Sequence, residues 1–161
     1  VPSAAQDRAI FNFALLLEYL QAAFYSEAVE RGGLTGDVRR FARVVSGHEQ
    51  AHVAFLRKAL GPHARARPEF KFGDATRDEH AFLKAAVLLE NTGVLAYNGQ
   101  AANLTRPALA AAAEIVSVEG RHAAWVNDLA GVPPAPRAAD VGVSSEDAVR
   151  TLQSTRFLKT Q

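Results

Sequence analysis

The sequence reads as an all-α protein, with four long helices in one bundle, a single long crossover between helices two and three, and a short C-terminal helix. Three observations point there. Strand signals are nearly absent, while alanine, leucine and polar helix formers dominate. Four long segments carry apolar residues at helical spacing and end at glycine or proline signals. The connections within the first and second pairs are short, and only the middle one is long enough to run back along a bundle.

The first helix spans about Ala5 to Arg31 and stops at Gly32-Gly33. The second spans about Asp37 to Leu60 and ends at Gly61-Pro62. The Gly61–Ala75 segment, with two prolines, is the crossover. The third helix starts near Thr76-Arg77-Asp78 and continues to about Ala102. The fourth opens near Thr105-Arg106-Pro107, where proline suits a first helical turn, and ends before Gly131. The tail VPPAPRAADVG is an extended linker into a short amphipathic helix from about Ser144, docked by Val149, Leu152 and Phe157. The whole chain, 1–161, is expected to be a single domain, with the bundle at about 5–130 and the linker and short helix at 131–161.

Composition bounds the function. At 48% hydrophobic and 22% charged, the chain is of the globular class. Net charge is +1, and the densest basic stretch, HARARP at 63–68, reads as a solvated loop, so neither a nucleic-acid nor a membrane partner is expected. No apolar run approaches the roughly 18–20 residues that span a bilayer. There is no cysteine, which removes disulfides, thiolate metal sites and a thiol nucleophile. There is no methionine, even at position 1, as processing or trimming would leave it; removal of a signal peptide is one such case, and no compartment is indicated.

An internal repeat runs through the bundle. Residues 33–49 align without gaps on 103–119, matching Leu34 to Leu104, Thr35 to Thr105 and Glu49 to Glu119. Helices one and three correspond as well, with Glu18 and Tyr25 in one and Glu90 and Tyr97 in the other, seven residues apart in both. Each half carries a glutamate with a histidine three places later: Glu49 and His52, then Glu119 and His122.

On a helix, positions i and i+3 share a face, so each pair aims at one point. Glu18 lies among Phe13, Leu16, Leu17, Leu20 and Phe24, and Glu90 among Val87, Leu88, Val94 and Leu95. A carboxylate buried alone costs several kcal/mol or takes up a proton. Four meeting in one core need positive charge between them. Two divalent cations supply it, with two neutral imidazoles as further ligands, and the charges sum to zero. Oxygen and imidazole donors without sulfur favour iron or manganese. The candidate metal ligands are therefore Glu18, Glu49, His52, Glu90, Glu119 and His122, with Glu49 and Glu119 as bridges and Glu18 and Glu90 terminal. Six side chains do not fill two octahedral ions, so positions remain for water, dioxygen or hydrogen peroxide.

One Glu from each of two helices and a Glu-x-x-His from each of the others is the pattern of ferritin-like dimetal proteins. The chain resembles that superfamily over almost its whole length. FNFALLLEYLQAAFYSEAV, LLENTGVLAYNGQA and APRAADVGVSSEDAV resemble the ferritin-like domain of desiccation-related and stress-responsive proteins. The resemblance implies a dimetal-carboxylate centre, diiron before dimanganese, reacting with dioxygen or hydrogen peroxide in a ferroxidase- or peroxidase-like way in stress protection. The alternative is a metal-binding or structural protein without turnover. An electron donor of unknown identity and a homo-oligomer, a dimer before a large storage cage, complete the expected partners. No haem is expected, because the methionine that holds it in bacterioferritins is absent here.

Other residues carry paired readings. Tyr25 is a candidate hydrogen-bond partner of a ligand carboxylate, or an electron donor, set against a core tyrosine; for Tyr97 the core reading is favoured. Gly93, one turn after Glu90, leaves room for an oxidant or carboxylate movement, or for close helix packing. His48 points about 100° from Glu49 and reads as a partly exposed or hydrogen-bonded histidine. His63 and His80 read as solvent-facing, and Trp125 as core packing. Gln21 either hydrogen-bonds a ligand or ends in solvent.

Overall fold

A computed structural model describes residues 1–159. Its helices are α1 (Ala4–Arg31), α2 (Gly36–Leu60), α3 (Glu79–Gln100), α4 (Arg106–Leu129) and α5 (Ser145–Thr155). Short 3-10 turns lie at Gly61–His63, Gly73–Thr76 and Ala101–Asn103. Among the described residues the only β pairing is an isolated bridge between Phe70 and Leu158. The architecture is the all-helical bundle with a short C-terminal helix that the sequence predicts.

Local chemistry sets the boundaries. Ser3 caps α1 by accepting from the Gln6 amide, and Gly32, at φ 72°, ends the helix in the left-handed region. α3 begins at the Thr76-Arg77-Asp78 signal, where the Asp78 side chain accepts from the Ala81 amide, and Gly73–Thr76 before it forms its own turn. α1 packs mainly on α2, and α3 on α4.

Two matching contacts show the repeat in three dimensions. Asp7, in the first turn of α1, accepts from the backbone N–H and hydroxyl of Thr105, the N-cap of α4, at 3.0 and 2.6 Å. Glu79, in the first turn of α3, accepts from the N–H and hydroxyl of Thr35, the N-cap of α2, at 2.6 and 3.0 Å. Each cap threonine thus ties its helix to the start of another, so α1 and α4 begin at one end and α2 and α3 at the other. The crossover from Gly61 to Asp78 carries the chain between those ends.

The core continues through the crossover and tail. Phe24 stacks on Phe82 at 5.2 Å and meets Phe72 edge-on at 5.5 Å. Phe157 packs on both Phe24 and Phe72, while Lys71 donates its amide to the Phe157 carbonyl at 2.8 Å. Each buried ring of this size contributes about 1.5–3 kcal/mol. The linker crosses α3 where Gly99 meets Gly142: a Cβ at Gly99 would fall 1.8 Å from the Val143 carbonyl. α5 docks through Ala148 and Leu152, with Val149 only half-buried. On α3 the core residue is Leu89, whereas Leu88, expected beside Glu90 in the interior, is exposed, because one residue's step turns about 100° around a helix.

Candidate metal centre

Four glutamates and two histidines meet at mid-bundle, one glutamate or Glu-x-x-His from each long helix. Relative exposure is 1% for Glu18, 0% for Glu49, Glu90 and Glu119, 8% for His52 and 3% for His122. All six residues predicted from sequence are brought together.

The distances divide them into two overlapping groups. His52 Nδ1 lies 3.2 Å from Glu18 Oε2, 3.3 Å from Glu49 Oε2 and 3.2 Å from Glu119 Oε1. His122 Nδ1 lies 3.1 Å from Glu49 Oε1, 3.4 Å from Glu90 Oε2 and 3.7 Å from Glu119 Oε1. Glu18, Glu49, His52 and Glu119 each offer an atom within 4.8 Å of the others, and so do Glu49, Glu90, Glu119 and His122. Glu49 and Glu119 belong to both groups. Glu49 turns one oxygen toward each histidine.

The cluster is not satisfied by hydrogen bonds. Among the described residues, the fully buried side-chain atoms without a partner are Glu49 Oε1, Glu90 Oε2, both oxygens of Glu119 and His122 Nδ1. All five belong to this site. His122 Nδ1 and Glu49 Oε1 are close, yet they lack hydrogen-bond geometry. An orphaned buried polar atom costs about 1–3 kcal/mol, and more if charged. Converging oxygen and imidazole donors without partners are what divalent cations satisfy, so the residues fit a metal centre.

Electrostatics agree. Burial, then Glu18, pushes Glu49 well above the usual carboxylate range; burial, then Glu49 and Glu18, does the same to Glu119. Burial works against a charge on His52, but the adjacent carboxylates of Glu119, Glu18 and Glu49 outweigh it and push the ring up to about 12. Burial likewise pushes Glu18 upward, and His52 with its other partners overcomes this and lowers it. The surroundings thus favour the protonated forms of Glu49, Glu119 and His52 and the ionised form of Glu18.

A layer of donors surrounds the cluster, and it crosses the bundle. Tyr25, on α1, donates to Glu90 Oε1 on α3 at 2.5 Å. Tyr97, on α3, donates to Glu18 Oε1 on α1 at 2.6 Å. Each tyrosine thus serves the glutamate of the opposite helix, not the one seven places before it, and α1 and α3 run antiparallel. Tyr97 is therefore no ordinary core tyrosine, as the sequence suggested. Burial, followed by the facing glutamate, pushes both phenols well above their ordinary range and keeps them protonated as donors. Gln21 also donates to Glu90 Oε1, at 3.0 Å.

The family model for the ferritin-like domain matches residues 6–132. The chain belongs to the ferritin-like family. The match covers all four long helices almost completely, including every residue of the cluster. No curated protein matches the chain.

His48 sits on the exposed side of α2, with Nδ1 2.8 Å from His122 Nε2. Burial, then His122, His52 and Arg121, holds it below the usual histidine range, as an acceptor requires. His63 and His80 are exposed, and Trp125 is half-buried, edge-on to Phe41 at 5.2 Å beneath Arg40. Gly93 makes room for carboxylate and amide: a Cβ there would meet Glu119 Oε2 at 3.0 Å and Gln21 Nε2 at 3.7 Å. Of the paired readings, Gln21 takes the hydrogen bond to a candidate ligand and His48 is both exposed and hydrogen-bonded. The signal for their partners lay in the repeat, where these two polar residues align with Gly93 and Val118.

Proposed function

We propose that this ferritin-like protein holds two redox-active metal ions, iron before manganese, and reacts with dioxygen or hydrogen peroxide. The observation that supports it most is the set of five orphaned buried atoms, all aimed into two overlapping ligand groups. When bound, the pair of ions supplies the electrons and open coordination positions for reducing the oxidant.

The chain's own residues provide the rest. Glu49 and Glu119 span the two positions, and Glu18 with His52 and Glu90 with His122 close the ends. Tyr25 and Tyr97 hold the terminal carboxylates by their outer oxygens, which fixes the inner oxygens toward the centre. The apolar packing around them excludes water, so charge on the ligands acts at low dielectric. To hold metal, Glu49, Glu119 and His52, whose surroundings favour their protonated forms, would release protons. On this reading Tyr25, which is buried and donates to Glu90, also gives up an electron and its phenolic proton as the oxidant is reduced.

The test is stopped-flow mixing of the iron(II)-loaded protein with dioxygen and, separately, with hydrogen peroxide. The expected result is an absorbance rise in the near-ultraviolet and visible that depends on oxidant concentration. Loaded protein that shows no change with either oxidant contradicts the redox reading and leaves a structural metal site.

A further inference from the structure

The two halves of the centre are unequal, and the inequality lies in residues that break the repeat. The register that matches Glu18 to Glu90 and Tyr25 to Tyr97 also matches Gln21 to Gly93. The register that matches Glu49 to Glu119 matches His48 to Val118. The tyrosines treat both halves alike, one phenol to each terminal glutamate. Both mismatched positions support the same half.

Gln21, 2% exposed, gives Glu90 Oε1 a second donor. With that oxygen engaged twice, Glu90 is left with Oε2, the atom 3.4 Å from His122 Nδ1, for a metal. His48 Nδ1 faces His122 Nε2 at 2.8 Å. A histidine that offers Nδ1 to a metal carries its proton on Nε2, so His48 accepts it and fixes both tautomer and ring angle. The Glu18–His52 half has neither aid. Gly93 has no side chain to reach Glu18, and Val118 has no polar atom for His52. The His52 side chain is also the more exposed of the two, 10% against 3%, although both histidines and His48 line the same surface pocket of about 460 Å³ between α2 and α4.

Resting on the dimetal reading above, we infer that Gln21 and His48 are positioning residues that make the Glu90–His122 position tight and retained, and leave the Glu18–His52 position labile. Partners behind metal ligands typically change affinity about 10–100-fold.

Metal-stripped protein is titrated anaerobically with cobalt(II), read by visible absorbance and calorimetry. Two equivalents should enter in separate steps, the first about tenfold or more tighter. A crystal soaked with one equivalent should show anomalous density at Glu90–His122. Gln21→Met and His48→Leu should each weaken the Glu90–His122 position by about 10–100-fold while leaving the Glu18–His52 position within about twofold. His48→Asn, whose Oδ1 accepts in place of Nδ1, should keep wild-type steps. Density divided equally in the soak, variants that titrate as wild type, or equal weakening of both steps overturns this inference and leaves the dimetal site standing. Wild-type uptake of fewer than two equivalents at saturating cobalt overturns both. Circular dichroism checks folding of each variant, and the wild-type soak needs no variant.

Discussion

Tyr97 on α3 donates its hydroxyl to Glu18 on α1 at 2.6 Å, inside a core where both side chains are almost completely enclosed. Its counterpart, Tyr25 to Glu90, runs the other way between the same helices. A hydrogen bond to a charged partner is worth about 1.5–3 kcal/mol. Tyr97→Phe should lower the stability of the metal-free protein by about that amount, seen in urea unfolding, because the Glu18 oxygen loses its donor. Metal stoichiometry should be unchanged, since the phenol binds the outer oxygen.

Bridging and terminal carboxylates should fail differently. Glu119 belongs to both ligand groups and Glu18 to only one. Glu119→Ala should therefore abolish metal uptake at both positions, and Glu18→Ala should spare the one at Glu90–His122. Elemental analysis after equilibration with manganese(II) separates the two patterns. Equal loss in both variants contradicts the shared-ligand geometry.

The pH dependence of the metal-free protein has a definite sign. Glu49 and Glu119 have folded-state values raised, by burial first and neighbouring carboxylates second, above the 4.5 of an unperturbed glutamate. As pH climbs past that value, the unfolded chain releases protons the folded one keeps, so stability falls. His52 acts in the same direction: its contribution is full below 6.5 and is lost as pH rises toward about 12. Glu18, lowered, acts oppositely, contributing above 4.5 and failing as pH falls through its folded value. Above the unfolded histidine value of 6.5, then, the melting temperature should fall with rising pH. Bound metal replaces these protons, so uptake should acidify a weakly buffered solution, and the loaded protein should lose the trend. Uptake without proton release contradicts the protonation pattern.

Much of this was legible in the sequence because helical geometry is local. The Glu49/His52 and Glu119/His122 spacing fixes a shared face whatever surrounds it, and charge balance does the rest. The cap threonines Thr35 and Thr105 mark the repeat and appear at matching N-caps. What escaped depends on distances between helices. The seven-residue spacing of Glu18 and Tyr25 places both on α1 but says nothing of Glu90 across the core. His48 points away from Glu49, and only the neighbouring α4 turns that direction into a contact with His122. Leu88 and Leu89 differ by one step of the helix, so periodicity alone put the wrong one inside.

The measurement closest to the central claim is metal content. Protein reconstituted with iron(II) or manganese(II) and freed of excess should carry two ions per chain, and Glu49→Ala should carry almost none. Wild-type protein that emerges without metal from an excess of both ions, or Glu49→Ala that keeps the full complement, would contradict the account.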